Sequence, residues 1–403
     1  MGRVDIIEQL AVPGTSRILL VVLDGLGGVP RDSKTELEAA WSPNLDHLAA
    51  RSSTGLTVPV ARGVTPGSGP AHLALFGYDP LEYQVGRGIL EALGVGLTPG
   101  PGDLCARANF ATLDGKGKVK DRRAGRISTE ECERLCGRLS EELSSIEDME
   151  LKIVAGREHR FVVVFKGEGL ADGLTDSDPQ HSGVAPLEVQ PTREEAAKSA
   201  KVVNAFGDRC REVLKDEERA NCVLLRGLSL PPHLTGFGER YRLNAACIAS
   251  YPMYRGLARL VGMEVLETGN SWSDEVKVLQ ENRDRFDFFY LHLKDTDKAG
   301  EDGEFDRKVE LIERFDEETL PLLTKAGFEV LCITGDHSTP AVLKAHSWHS
   351  VPFLLHSPYV RPHIQVEDFG ERSCARGNLG MFPAKEVMGL LLAHAGRLRK
   401  FGA

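Results

Sequence analysis

Two apolar runs that end in a carboxylate stand near opposite ends of this chain. Ile18-Leu19-Leu20-Val21-Val22-Leu23 runs into Asp24-Gly25, and Val330-Leu331-Cys332-Ile333 runs into Thr334-Gly335-Asp336-His337. Runs that are apolar at every position, rich in β-branched residues and closed by glycine predict strands buried on both faces. Residues 17–24 read this way, and the largely apolar stretches over 54–59, 245–250, 286–293, 328–334 and 351–356 read as further strands. Helical spacing falls between them, over 43–52 (Ser42 before Pro43), 69–77 (opened by Ser68), 252–262, 307–326 and 384–395. Strand–helix alternation predicts an α/β core with a mostly parallel sheet.

The middle of the chain has another character. Residues 105–113 and 161–166 read as strands, 129–145 as an amphipathic helix starting at Thr129-Glu130, and 193–215 as a charged helix, an α+β pattern. Gly86, Gly88, Gly94 and Gly96 mark a loop-rich stretch, and 228–242, with Pro231-Pro232, reads as a linker. The expected organisation is a discontinuous core, 1–104 and 236–403, with an inserted domain over 105–235.

Composition narrows the function classes. A formal net charge of −10 argues against a general nucleic-acid binder, although a few local arginines suffice for a small anion. No apolar run reaches membrane-spanning length, and Met1-Gly2-Arg3-Val4-Asp5 lacks a secretory pattern, so a cytoplasmic protein without membrane contact is expected. The eight cysteines are scattered and form no zinc pattern, which predicts reduced thiols. Oligomeric state is left open, a homo-oligomer included.

Candidate chemistry gathers at the strand ends, where α/β proteins place their sites. Asp24 either caps the next turn or ligates a cation. Asp336 and His337 together offer the oxygen and nitrogen donors that suit Zn or Mn. Asp297 and Glu301 lie in an acidic run directly after an apolar strand; by itself such a run is a solvated loop. His346 adds a nitrogen donor, with His349 as alternative or supporting partner. Ser68, in Pro66-Gly67-Ser68-Gly69-Pro70, either caps its helix or serves as a nucleophile whose hydroxyl a divalent cation activates. The segment is not Gly-x-Ser-x-Gly, so a Ser-His-Asp hydrolase fits less well. Arg107, Arg122, Arg123, Arg126, Arg157, Arg160 and Arg226 offer forks for carboxylate or phosphate oxygens.

Several stretches together resemble the alkaline phosphatase superfamily, and within it the cofactor-independent phosphoglycerate mutases of archaeal type. They are Thr65-Pro66-Gly67-Ser68-Gly69-Pro70-Ala71-His72 through Pro80, Asp121-Arg122-Arg123-Ala124-Gly125-Arg126, Thr334 through Pro340, and His346-Ser347 before Val351-Pro352. The resemblance implies an alkaline-phosphatase-like core with an inserted α+β cap. It implies two divalent cations, Mn first and Mg, Co or Zn as alternatives, and no 2,3-bisphosphoglycerate. Asp24, Ser68, Asp336 and His337 would hold one cation, and Asp297, Glu301 and His346 the other. Glu301 stands where the superfamily pattern has His, which shifts preference toward Mn or Mg. Ser68 would carry the phosphoryl group as phosphoserine between the 3- and 2-hydroxyls of glycerate. Arg107, Arg123, Arg126, Asp178, His181 and Arg226 would face the substrate, with His72 a candidate proton shuttle. A metal-dependent phosphomonoesterase or phosphodiesterase on the same core is the rival reading, and an inactive scaffold a third.

Overall fold

The computed structural model describes residues 6–402; the Met1-Gly2-Arg3-Val4-Asp5 opening lies outside the described residues. The chain forms two compact units, Met1–Gln84 with Leu234–Ala403, and Val85–His233.

The first unit contains an eight-stranded sheet. In spatial order its strands are Glu264–Val265, Ala245–Ala249, Phe288–Leu293, Ile18–Leu23, Val330–Thr334, Val351–His356, Ser53–Val58 and Gly380–Pro383. Seven run one way and only Val351–His356 opposes them, which is the mostly parallel α/β sheet the apolar runs predict. The three central strands are buried at every position. Leu19, Val21 and Leu23 pack on one side with Leu45, Leu279 and Leu311 from flanking helices.

Register decides where the chemistry lies. Leu23 pairs with Leu293, and Val22 with Thr334. Asp24, Lys294 and Gly335 therefore leave three adjacent parallel strands at one level.

The second unit is antiparallel. Leu104–Leu113 pairs with Arg160–Lys166 on one side and Cys222–Ser229 on the other; Val119–Asp121, Met149–Ala155 and Ser145–Ile146 complete the sheet. Alternation along these strands separates two faces. Ala106, Ala108, Phe110, Val163 and Phe165 join the core with helices Thr129–Glu142 and Ala197–Val213. Arg107 and Asn109 point the other way, with Arg226 and Arg160 as their cross-strand partners.

Four expectations change. The glycine-rich stretch near 86–96 is a helix, Arg87–Gly94, whose Ile89, Ala92 and Leu93 are buried. Gly88 lies so close to the sheet that a Cβ would sit 2.3 Å from the Cys105 carbonyl oxygen, and this packing brings the helix into the second unit. The unit boundary accordingly falls at Gln84/Val85, ahead of the composition change at 104/105. The 228–242 linker contains the end of strand Cys222–Ser229 and helix Phe237–Tyr241. The long helix over 307–326 is interrupted by a π turn, Phe315–Thr319, just before Pro321, which lacks the amide a regular helix needs. Helix Trp272–Asn282 has no counterpart in the sequence reading, although Ser271 and Asp274 form a capping box.

That helix buries a carboxyl. Glu275 accepts a hydrogen bond from the Ser250 amide at 2.9 Å, and burial pushes its pKa up to about 8 against an ordinary 4.5. Folding thus favours the protonated form. The stability this gives is complete below pH 4.5 and is lost as pH rises toward 8, on the order of a few kcal/mol. Gln keeps the acceptor oxygen without the charge. Glu275→Gln is expected to melt higher than the parent at pH 9 and to show a flatter melting temperature between pH 5 and 9 in thermal scans; parallel profiles for both proteins would contradict this.

Candidate active site

Asp24, Asp297, Asp336 and His337 are all buried at the carboxyl ends of the three central strands. Gly25, at φ +66°, turns the chain so that its amide donates to Asp336 Oδ1 at 3.1 Å. A Cβ there would lie 2.6 Å from Thr339 Oγ1, so this close approach requires glycine. Ser68 enters from helix Ser68–Leu75, where Gly67 is the N-cap and Ser68 the first helical residue. The capping reading of Ser68 is thereby replaced: its side chain makes no cap, and its Oγ lies 3.2 Å from His337 Nε2.

His337 Nε2 is the meeting point of one donor set. It lies 3.0 Å from Asp336 Oδ2 and 3.4 Å from Asp24 Oδ1. Those two carboxylate oxygens are fully buried and have no hydrogen-bond donor. A tetrahedral ion about 2.0 Å from each ligand would space neighbouring ligand atoms by about 3.3 Å. The spacings of 3.0, 3.2 and 3.4 Å around His337 Nε2, with two acceptor oxygens aimed inward and unsatisfied, fit a divalent cation held by Asp24, Ser68, Asp336 and His337.

A second set adjoins it. His346 Nε2 lies 3.6 Å from Asp297 Oδ1 and 3.7 Å from Glu301 Oε1, and the His337 and His346 rings stack with centroids 3.6 Å apart. Asp297, His337 and His346 can converge on one ion, as can Asp24, Asp336 and His337. Asp297 and Glu301 sit on helix Asp295–Asp302, which replaces the solvated-loop reading of the acidic run. Glu301 is the most open ligand candidate, its side chain 54 % exposed. His346 Nδ1 lies 3.0 Å from the Pro66 carbonyl oxygen, which turns Nε2 toward the carboxylates. His349 stands apart: its Nδ1 faces Ser347 Oγ at 3.0 Å and its ring stacks on Trp348.

The protein's own charges show how strongly the site attracts cations. Burial pulls His337 toward neutrality, but Asp336, Asp24 and Asp297 outweigh it and raise its pKa to about 9. Burial also disfavours the Lys294 ammonium, yet Asp24 and Asp297 hold its pKa above the ordinary value. Burial and the neighbouring Asp336 push Asp24 up, while His292 and Lys294 more than offset them and keep it ionised. A cation binding at His337 must displace its proton.

Several residues that shape this site carry no sequence motif. Tyr254 donates its hydroxyl to Asp24 Oδ2, and the His292 ring stacks on Tyr254 with Nε2 3.2 Å from the same oxygen. Thr339 Oγ1 donates to Asp297 Oδ1 at 2.7 Å and faces His337 Nδ1 at 2.9 Å, linking the two donor sets. His72 Nδ1 lies 2.8 Å from the Ser68 carbonyl oxygen and 3.3 Å from Asp336 Oδ2; burial lowers its pKa to about 4, so it is neutral. The capping box at Ser271 and the Tyr251-Pro252 helix start were the available signals nearby; nothing marked Tyr254 or Thr339 as ligand supports.

In the second unit, Arg107, Arg123, Arg126 and Arg226 line one cavity of about 380 Å³ together with Arg122, Arg157, His159 and Arg160. Arg107 and Arg226 are directly opposed across two strands, an arrangement of like charges that costs stability unless an anion lies between or beside them. Glu91 pairs with Arg107 at 3.2 Å, and buried Asp178 takes a two-pronged bond from Arg122 at 2.8 and 2.7 Å. Burial raises the Asp178 carboxyl, but the Arg122 bonds outweigh it and keep it ionised. Burial and Arg160 lower the His159 pKa to about 4. His181 is exposed and does not line this cavity.

No helix among the described residues is long and apolar enough to cross a membrane. Residues 49–220 match the family model of 2,3-bisphosphoglycerate-independent phosphoglycerate mutase. A probable 2,3-bisphosphoglycerate-independent phosphoglycerate mutase of Thermus thermophilus is 53% identical over 408 residues, covering 100% of both chains. Among solved structures, the PH0037 protein from Pyrococcus horikoshii is 31% identical with a TM-score of 0.81, over 96% of this chain and 99% of that one. The cofactor-independent phosphoglycerate mutase from Thermoplasma acidophilum is 30% identical with a TM-score of 0.75, over 95% of this chain and 100% of that one. With this identity along its whole length, the chain belongs to the family of 2,3-bisphosphoglycerate-independent phosphoglycerate mutases.

Proposed function

We propose that this protein is an isomerase that interconverts 3-phosphoglycerate and 2-phosphoglycerate without 2,3-bisphosphoglycerate, with Ser68 as the phosphoryl carrier. The observation that carries this reading is the Ser68 hydroxyl, at the first position of its helix and 3.2 Å from His337 Nε2, within a cluster of buried ligand donors. Asp24, Ser68, Asp336 and His337 would hold one divalent cation, and Asp297, Glu301 and His346 the other. When bound, such cations supply Lewis-acid charge that favours the serine alkoxide and offsets the phosphoryl oxygens. The oxygen of Glu301 in place of an imidazole favours Mn or Mg over Zn, with Mn first and Co a further candidate.

Ser68 Oγ attacks phosphorus in line, the bond to glycerate O3 breaks, and the serine proton is balanced by the one O3 gains. The reverse step on O2 restores the serine. First-turn amides of helix Ser68–Leu75 and the Lys294 ammonium, beside Asp24 and Asp297, add positive potential for the phosphoryl group. We assign the arginine cavity of the second unit to the anionic substrate, with Arg107, Arg123, Arg126 and Arg226 as contacts and Asp178 as the carboxylate that orients Arg122 and Arg226. His181 is exposed and lies outside the residues that line that cavity. Eight free, buried cysteines suit a cytoplasmic setting.

The deciding assay supplies 3-phosphoglycerate and Mn with no bisphosphoglycerate. Formation of 2-phosphoglycerate without equivalent phosphate release is the expected result. Inorganic phosphate as the only product would replace the mutase with a phosphatase on the same core.

A further inference from the structure

Lys308 has a charge that is buried and not used by the chemistry above. It lies on helix Phe305–Arg314, fully shielded from solvent, and its ammonium has no carboxylate within ion-pair distance among the described residues. Each of its three protons has a carbonyl partner: Gly25 at 2.8 Å, Gly27 at 3.1 Å and Thr339 at 3.0 Å. Gly25 follows the ligand Asp24, and Thr339 stands two residues after the ligand His337. The Thr339 amide donates to the Gly25 and Gly27 carbonyls at 3.3 and 3.0 Å, so the ammonium closes a knot between two strand-end loops. Three acceptors converging on a point suit a compact ammonium rather than a planar guanidinium. Burying an isolated ammonium is costly, and here it is compensated only at longer range by Glu36, Glu371, Asp297 and Asp24. An expensive group at this place implies a task that an apolar side chain would not do.

We propose that Lys308 is a positioning residue for cation binding: by tying the Asp24 loop to the Asp336–His337 loop, it sets the donor spacing before a cation arrives. This rests on the metal-dependent reading given above. Two effects of removing Lys308 oppose each other. Loss of a positive charge near the site would strengthen cation binding, whereas loosening of the loops would weaken it; groups that orient ligands in this way are worth roughly 10- to 100-fold in metal affinity. The brace predicts that the second effect wins.

Mn affinity of the full-length protein, stripped of metal and titrated with Mn alone, is read from the free-Mn electron paramagnetic resonance signal. Lys308→Met, which keeps the length of the side chain, and Lys308→Arg, which keeps the charge, are both expected to bind Mn about 10- to 100-fold more weakly. The Mn concentration needed for half-maximal turnover should rise by the same factor, and the lost activity should return at high Mn. Unchanged or tighter Mn binding by Lys308→Met would overturn the proposal. A parent protein that binds no Mn would overturn the metal reading itself. Should neither variant fold, hydrogen exchange of the parent decides: peptides over 24–28 and 337–341 equally protected with and without Mn support a brace built in advance, and protection gained only with Mn overturns it.

Discussion

Ser68→Ala is expected to lose at least about 10⁴-fold in kcat for the mutase reaction, because it removes the atom that forms the bond to phosphorus. The loss should fall on kcat, with little change in KM, since the binding groups stay in place. The fold should be unaffected. Ser68 is the first residue of its helix, Gly67 provides the cap, and the Ser68 side chain does not hold the helix end. Substitution at a half-exposed position that leaves no buried group unsatisfied changes stability by roughly 0.5 kcal/mol or less. His337 and Tyr254 both face the Ser68 side chain; His337 retains Asp336 and Asp24 as neighbours, and Tyr254 retains Asp24. Rapid acid quench with 3-phosphoglycerate labelled in its phosphate should leave label on the parent protein and none on the variant. A variant that turns over normally, or that still takes up label, would remove Ser68 from the mechanism and leave the ligand cluster without its nucleophile.

The candidate donors that the sequence reading picked out at strand ends are the ones the structure brings together. Asp24, Asp297 and Asp336 each follow an apolar run, and parallel pairing in register, Leu23 with Leu293 and Val22 with Thr334, brings those ends to one level. An apolar run predicts both the strand and the place where polar residues re-emerge, so ligands at such ends are visible in one dimension. Tyr254, His292, Thr339 and Lys308 were not visible for the opposite reason. Each lies within an element or a turn whose pattern reports only burial, and its role depends on which atom of another segment it meets. His292, in the middle of a fully buried strand, looks like any satisfied core histidine until Asp24 is seen 3.2 Å from its Nε2. Helix Arg87–Gly94 was missed because glycine signals chain reversal as well as close packing. Only the 2.3 Å that a Cβ on Gly88 would leave to the Cys105 carbonyl oxygen separates the two meanings. In the second unit the arginines were recognisable one by one, whereas their gathering into a single cavity follows from the antiparallel pairing of Arg107 with Arg226 and of Asn109 with Arg160.

Exhaustive chelation is expected to abolish turnover, and added Mn to restore it. The charge balance of the site is the reason. Asp24, Asp297 and Asp336 are buried together, and the cationic groups that face them are Lys294 and His337, the latter held protonated by those same carboxylates. Without divalent cations the protein can hold this cluster, but His337 then carries a proton on the ring that should act as a ligand, and the serine keeps an ordinary, unreactive hydroxyl. Residual turnover should fall below about 10⁻³ of the Mn-supplemented rate, since the single charges of Lys294 and protonated His337 would stand in for two divalent ions at a transferring phosphoryl group. Chelation should also lower the melting temperature. A ligand present at 100 times its dissociation constant adds about 2.7 kcal/mol, which for a protein of this size is a shift of several degrees. The two readouts are independent. A shift in melting temperature with no loss of turnover would make the cations structural, and full activity with an unchanged melting curve after chelation would leave protonated His337 as the partner of the inward-facing oxygens of Asp24 and Asp336 and remove the metal from the mechanism.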